Sequence, residues 1–164
     1  MPAIHNRSRL RFGATPLRRA VTALAIAAAV LLPGCRKCEL DPEMASDVGP
    51  TARNCGALTL NAGADQLSVA ESCAVQAEAE NAPFTLASDV RGVDSHVRVG
   101  FARDTQGRSW EYAYDGNTHG GGGDGNPELS RVSCEAITSG CNESGGAGPC
   151  LTCVKPGPSQ VLCQ

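Results

Sequence analysis

Nine cysteines in a chain of 164 residues limit what it can become more than any hydrophobic pattern does. Eight of them, Cys38, Cys55, Cys73, Cys134, Cys141, Cys150, Cys153 and Cys163, are spread over the stretch that also carries every acidic residue, while Cys35 closes a basic and apolar leader. An even set of cysteines in an oxidising compartment reads as a disulfide framework, here of up to four bridges, with the pairing left open by the spacings. Only five aromatic residues accompany them, Phe84, Phe101, Trp110, Tyr112 and Tyr114. The core is therefore lean, and bridges contributing about 2–4 kcal/mol each compensate for it.

The leader explains the odd cysteine. Arg7, Arg9, Arg11, Arg18 and Arg19 stand in residues 1–34 without one acid, and an apolar run from Ala20 to Leu32 comes after them in which Thr22 is the single polar residue. A basic segment followed by a short apolar one is the pattern of an export signal. The run falls short of the roughly 20 residues that a helix rising about 1.5 Å per residue needs to cross a bilayer core. It ends in Leu31-Leu32-Pro33-Gly34-Cys35, with an aliphatic residue three before the cysteine and a small one directly before it. This stretch resembles the lipobox of bacterial lipoproteins. The resemblance covers residues 1–35 and implies processing: a diacylglycerol on the Cys35 thiol, cleavage before Cys35 and acylation of the new amino terminus. It implies a mature chain held at the cell envelope by lipid, and at the outer membrane in a Gram-negative cell, because Arg36 rather than Asp follows the cysteine. Several acyl chains hold far more firmly than one, at about 0.8 kcal/mol per buried methylene. An ordinary secreted protein cut at another small residue is the competing reading.

Removing residues 1–34 leaves 130 of the 164, a size for one domain. Nine basic residues then face seventeen acids, a formal charge of −8 that repels phosphate backbones and argues against nucleic-acid partners. Residues 35–54 are polar, with Pro42, Gly49 and Pro50, and read as a lipidated tether; residues 55–164 read as the disulfide-rich domain. Within it, Ala57–Leu60 suits a short strand. Ser68 with Glu71 three residues on begins a helix that runs to Asn81 before Pro83, with Val69, Cys73 and Ala77 on one face.

After Pro83 the period becomes two. Phe84–Val90 is a strand broken by Gly92. Val97, Val99 and Phe101 alternate with His96, Arg98 and Gly100, and Trp110, Tyr112 and Tyr114 alternate with Glu111 and Ala113. Asp104-Thr105-Gln106-Gly107 between them suits a hairpin loop. The expected register sets Phe101 against Trp110, Val99 against Tyr112 and Val97 against Tyr114 on one core face, and His96 against Asp115 on the other. Residues 116–127 are a glycine-rich loop, Leu129–Ile137 a further strand placing Val132, Cys134 and Ala136 on one face, and the tail from Ser139 a cysteine framework around Leu151–Val154. The expected fold is α+β, one helix followed by a small antiparallel sheet stapled by disulfides.

Candidates for chemistry each have a plainer counterpart. Asp115, Asn117, Asp124, Asn126 and Glu128 offer oxygen ligands on flexible backbone, the needs of calcium, yet Leu129 falls where an EF-hand turn requires Gly. Without a metal the segment is a solvent loop. Cys150 and Cys153, with Cys141 and Cys163, have zinc or redox spacing, against which an exported chain favours structural bridges to other cysteines. His96 opposite Asp115, near Ser95 or Ser109, is the one arrangement that suggests a hydrolase, and a cross-strand surface pair is its counterpart. Trp110, Tyr112 and Tyr114 form either a platform for a glycan or peptide or the core face of the hairpin. No cofactor motif is present. The expectation is a non-catalytic envelope module binding a protein or glycan, with loop 116–127 as a candidate contact.

Overall fold

Alternating apolar residues from Phe84 onward build a six-stranded sheet whose two faces are both buried. The computed structural model describes residues 37–118, 126–141 and 148–164, and residues from Arg36 on form one unit; Cys35, Asp124 and the leader lie outside the described residues. Chain order is α1 (Leu40–Val48), β1 (Arg53–Leu58), α2 (Ala64–Ala79), β2 (Phe84–Arg91), β3 (His96–Arg103), β4 (Ser109–Asp115), β5 (Glu128–Cys134), β6 (Ala136–Ser139), β7 (Leu151–Val154) and β8 (Gln160–Cys163). The large sheet runs β1-β2-β3-β4-β5-β8, and β6 pairs with β7 in a small second sheet. The class is α+β, with a larger sheet and one more helix than expected. All neighbours are antiparallel except β1 and β2, whose parallel pairing corrects the plain meander. Parallel strands need a crossover of a dozen residues or more, and α2 supplies it.

The tether reading of residues 35–54 is corrected by α1. Leu40, Met44 and Val48 recur at four-residue spacing and are buried at 1%, 2% and 1% exposure. Such burial stabilises by about 1.5–3 kcal/mol per side chain. Pro42 sits in the first turn, where backbone N–H groups have no helical partner to lose, and Gly49 ends the helix at φ 79°. Met44 lies over Gly100, where an added Cβ would come within 2.5 Å of its sulfur. The domain therefore begins at Cys38, which is bonded to Cys163 in β8.

The second helix starts four residues before the expected Ser68. Gly63 is its N-cap and Gln66 Oε1 accepts from the Gly63 N–H at 3.1 Å, so Gln66 and not Glu71 closes the first turn. Ala70, Ala74 and Ala77 form the buried face, while Val69, assigned to that face from sequence, is 71% exposed. Asn81 at φ 55° ends the helix, with Ala82 N–H donating to Ala77 O and Asn81 N–H to Glu78 O, a Schellman closure.

The hairpin register is shifted by one residue from the expected one. Ala102 pairs with Trp110, Gly100 with Tyr112 and Arg98 with Tyr114, whereas Phe101 pairs with Glu111 and Val97 with Asp115. The loop sets this register. Asp104 N–H donates to Arg108 O at 2.9 Å, Gly107 N–H to Asp104 O at 3.0 Å, and Gly107 takes φ 81°, leaving three residues at the tip. Trp110 and Tyr112 therefore join Ala87, Ala102 and Leu129 beneath α1, and Phe101 joins Phe84, Leu86, Ile137 and Leu151 on the opposite face with α2 and the small sheet. The expected strand Leu129–Ile137 also divides at Glu135, so Ala136 belongs to β6, not to the face of Cys134.

Four disulfides hold these layers: Cys38–Cys163, Cys55–Cys73, Cys134–Cys153 and Cys141–Cys150. Cys150 and Cys153 bond to different partners, as expected for a structural pair. Cys55–Cys73 fixes α2 to β1, and Cys134–Cys153 fixes β7 to the end of β5. At the β1 edge, Gly56 at φ 130° donates its N–H to Asn54 Oδ1 at 2.9 Å, and the pairing with β2 is irregular between Asn54 and Ala57. That irregularity blunts the edge against pairing with another strand.

Candidate functional site

The one-residue shift of the hairpin turns Glu111 from the expected solvent side into the face that carries Phe101. Its neighbours across the sheet are Phe101 on β3 and Val132 on β5. Above this face, α2 packs on β1 and β2 and also against β6, while the β6–β7 pair reaches β4 and β5. A cavity of about 320 Å³ lies between β7 and the large sheet, lined by Val90, Val99, Phe101, Leu151, Glu111 and Arg91, with Cys141, Gly148, Pro149 and Cys150 along one side. The side of the cavity is pinned to α2, since the Cys150 N–H donates to Glu71 Oε1 at 2.6 Å.

Two charges in this cavity are unspent. Glu111 is half-buried and makes no hydrogen bond or ion pair among the described residues. Burial pushes its carboxyl above the usual carboxylate range. Arg91 is exposed at the rim and is likewise unpaired among the described residues. A Glu111 oxygen lies within 4.8 Å of the Cys134 and Cys153 sulfurs, the one such acid and cysteine cluster among the described residues. Those sulfurs are bonded to each other and offer no thiolate to a metal.

Other polar groups are spent on structure. Asp104, 3% exposed, accepts from Gln106 N–H at 2.8 Å, Arg108 N–H at 2.9 Å, Arg108 Nε at 2.7 Å and Trp110 Nε1 at 3.2 Å. Burial works to raise its pKa, but the donors from Arg108, Trp110 and Gln106 prevail and hold it below the ordinary Asp value. Arg131 lies 4.2 Å over the Trp110 ring and pairs with Asp47, which also accepts from Tyr112 Oη at 2.6 Å. Burial, then the Asp47 carboxylate, pushes the Tyr112 phenol up. This network ties α1 to β4 and β5, and it places Trp110 and Tyr112 inside the protein at 5% and 0% exposure, with Tyr114 half-buried at the end of the stripe. A glycan or peptide platform needs those ring faces free.

The hydrolase arrangement does not assemble. His96 sits beside Asp89, with Nε2 at 3.3 Å from Oδ1 and 59% of its side chain exposed, while Val97 takes the place opposite Asp115. Asp115 instead accepts from Ser95 and from the Asn117 N–H at 2.9 Å, and those bonds keep its pKa low. Ser109 is at the other end of the hairpin, about 20 Å from His96 at a strand rise near 3.3 Å per residue, and its hydroxyl donates to Glu78 at 2.7 Å within the Glu78–Arg103 pair. Of the calcium candidates, Asp115 and Glu128 face each other across β4 and β5 at the loop mouth, Asn117 and Asn126 flank it, and Asp124 lies outside the described residues. Glu128 accepts from Gln164 Nε2 at 3.0 Å.

No protein-family model matches the chain, and neither curated proteins nor solved structures yield a match. Function must therefore be read from the residues themselves. Sequence reasoning missed Glu111 because an acid alternating with aromatics reads as solvent-facing; its one available signal was Phe101, whose own alternation marks the face Glu111 shares once the loop is counted as three residues.

Proposed function

We propose that this chain is a lipid-anchored, non-catalytic binding module of the cell envelope, with a protein or glycan as its ligand. The anchor is supported by Leu31-Leu32-Pro33-Gly34-Cys35, and by the closure of the remaining eight cysteines into four bridges once Cys35 is set aside. The domain's first disulfide cysteine comes three residues after Cys35, so little chain separates it from the lipid. The observation that carries binding over catalysis is the cavity. Its described lining combines apolar walls with one unpaired carboxylate and one unpaired guanidinium, and its cysteines are bonded as disulfides rather than free as nucleophiles. A lining of that composition suits recognition: among the described residues it brings no nucleophile and base within reach of each other.

The test is the intact mass of the chain taken from membranes, with alkylation before and after reduction. The expected result is a triacylated chain beginning at Cys35 with no free thiol, and release into the soluble fraction for the C35S variant. An unmodified mass refutes the anchor, and free thiols among Cys141, Cys150, Cys153 and Cys163 refute the closed framework.

A further inference from the structure

We propose that the cavity between β7 and the large sheet is a site for an alkylammonium group: a primary amine on a short aliphatic stem, the ammonium against Glu111 and the stem along Val99, Phe101 and Leu151. This deepens the binding reading by naming the chemistry of the ligand, and it does not depend on the lipid anchor.

Four observations converge on that chemistry. The cavity, about 320 Å³, is at the small end of ligand sites, so it takes a small molecule or one side chain of a larger partner. Val90, Val99, Phe101 and Leu151 give it an apolar wall beside its polar lining, and that wall suits methylene groups. Its inner charge is a single carboxylate with no partner among the described residues, although half-buried carboxylates are ordinarily paired. A cation entering the cavity supplies the missing partner, whereas an anion or a neutral polyol meets an uncompensated negative charge. Between the two biological cations, the geometry favours ammonium. A guanidinium brings five donors in a planar fork and needs acceptors for them; among the described residues, the acid and cysteine side chains clustered with Glu111 are the bonded sulfurs of Cys134 and Cys153, which are weak acceptors. An ammonium has three donors on one compact atom, and the open side of the cavity leaves the remaining donors to water. Arg91 at the rim then faces the opposite end of the ligand, where it favours a carbonyl or carboxylate and disfavours a second positive charge.

Free amines and lysyl side chains share this chemistry, and the experiment separates them. The purified full chain in a nonionic detergent is titrated, by NMR, with n-butylamine, with Nα-acetyl-lysine methylamide, and with n-butanol and butyrate as neutral and anionic controls of similar size. Both amines are expected to shift the resonances of Val99, Phe101 and Leu151, with n-butanol about tenfold weaker or more and butyrate silent. Stronger binding of the lysine derivative assigns the site to a lysyl side chain of a polypeptide; stronger binding of butylamine assigns it to a free amine. The E111Q variant is expected to weaken amine binding about ten- to hundredfold and, being relieved of an unpaired charge, to melt about 2–4 °C higher than the native chain without ligand. Equal binding of n-butanol and butylamine, absence of binding by either amine, or an unchanged amine response in E111Q overturns the proposal. The comparison of isosteres uses the native chain, so it stands even if the variant fails to fold, and the membrane mass measurement tests the anchor separately.

Discussion

Substituting Asp104 by Asn is the sharpest test of what fixes the hairpin. The amide keeps the shape of the carboxylate and retains one oxygen for the Gln106 and Arg108 N–H groups, at 2.8 and 2.9 Å. Its NH2 then faces Arg108 Nε and Trp110 Nε1, both donors. The Arg108 side chain is 58% exposed, so solvent screens its ion pair and its loss costs less than about 1 kcal/mol. The indole is buried, and an unpaired buried donor costs about 1–3 kcal/mol. The total expected loss is about 1–4 kcal/mol. Urea unfolding without reductant reads it directly, because Trp110 is the only tryptophan in the chain and reports its own burial. With a slope near 2 kcal/mol/M, the midpoint falls by about 0.5–2 M. The pH dependence gives a second, independent reading. The native Asp104 pKa is depressed, so the carboxylate's contribution is complete above the ordinary value of 3.8 and is lost as pH falls through the lower folded-state value. D104N has no such titration, so the gap between the two proteins is full at neutral pH and closes in acid. An equal midpoint at neutral pH, or a gap that persists unchanged in acid, refutes the reasoning.

Two further substitutions probe the framework. M44A removes a side chain 2% exposed beneath α1 and should cost about 2–5 kcal/mol in the same unfolding assay, whereas a tether residue would change stability by less than about 0.5 kcal/mol. Replacing both Cys38 and Cys163 by Ser opens a bridge spanning 125 positions; replacing Cys55 and Cys73 opens one spanning 18. Chain entropy assigns about 5 kcal/mol to the first and about 3 kcal/mol to the second, so the first pair should unfold at lower denaturant; the reverse order would show that strain or residual structure governs instead.

How far the sequence reaches is best seen in the hairpin. The alternation of Val97, Val99 and Phe101, and of Trp110, Tyr112 and Tyr114, places both strands within two residues of their ends. It also yields the wrong register, because alternation alone implies a single buried face. On a sheet buried on one side, a slip of one residue exposes an entire hydrophobic row. Here α1 covers the second face, so each stripe finds a core of its own and hydrophobicity no longer chooses between the two registers. The choice passes to Asp104 and Gly107, local chemistry that a count of apolar residues does not see. The covering helix was hidden for a related reason: Leu40, Met44 and Val48 are the three large apolar residues of a mostly polar span, with Pro42 inside it, and their spacing becomes meaningful only when a partner face exists.

Glu111 carries the functional consequence of that register. In the expected pairing it stands on the polar side of an amphipathic hairpin, where an acid calls for no explanation. In the observed pairing it stands beside Phe101, without a partner among the described residues, in the lining of the cavity between β7 and the large sheet. Keeping an unpaired carboxylate there lowers stability, and a glutamine of the same shape would avoid that loss. The cysteine framework makes the arrangement sustainable. Cys134–Cys153 and Cys141–Cys150 hold the side of the cavity covalently, so its shape does not depend on filling it with apolar side chains. A lean core stapled by bridges can thus leave a charged hollow open, which a chain relying on packing alone would tend to fill or collapse. The even set of cysteines that bounds the fold is also what allows the proposed binding site in so small a domain.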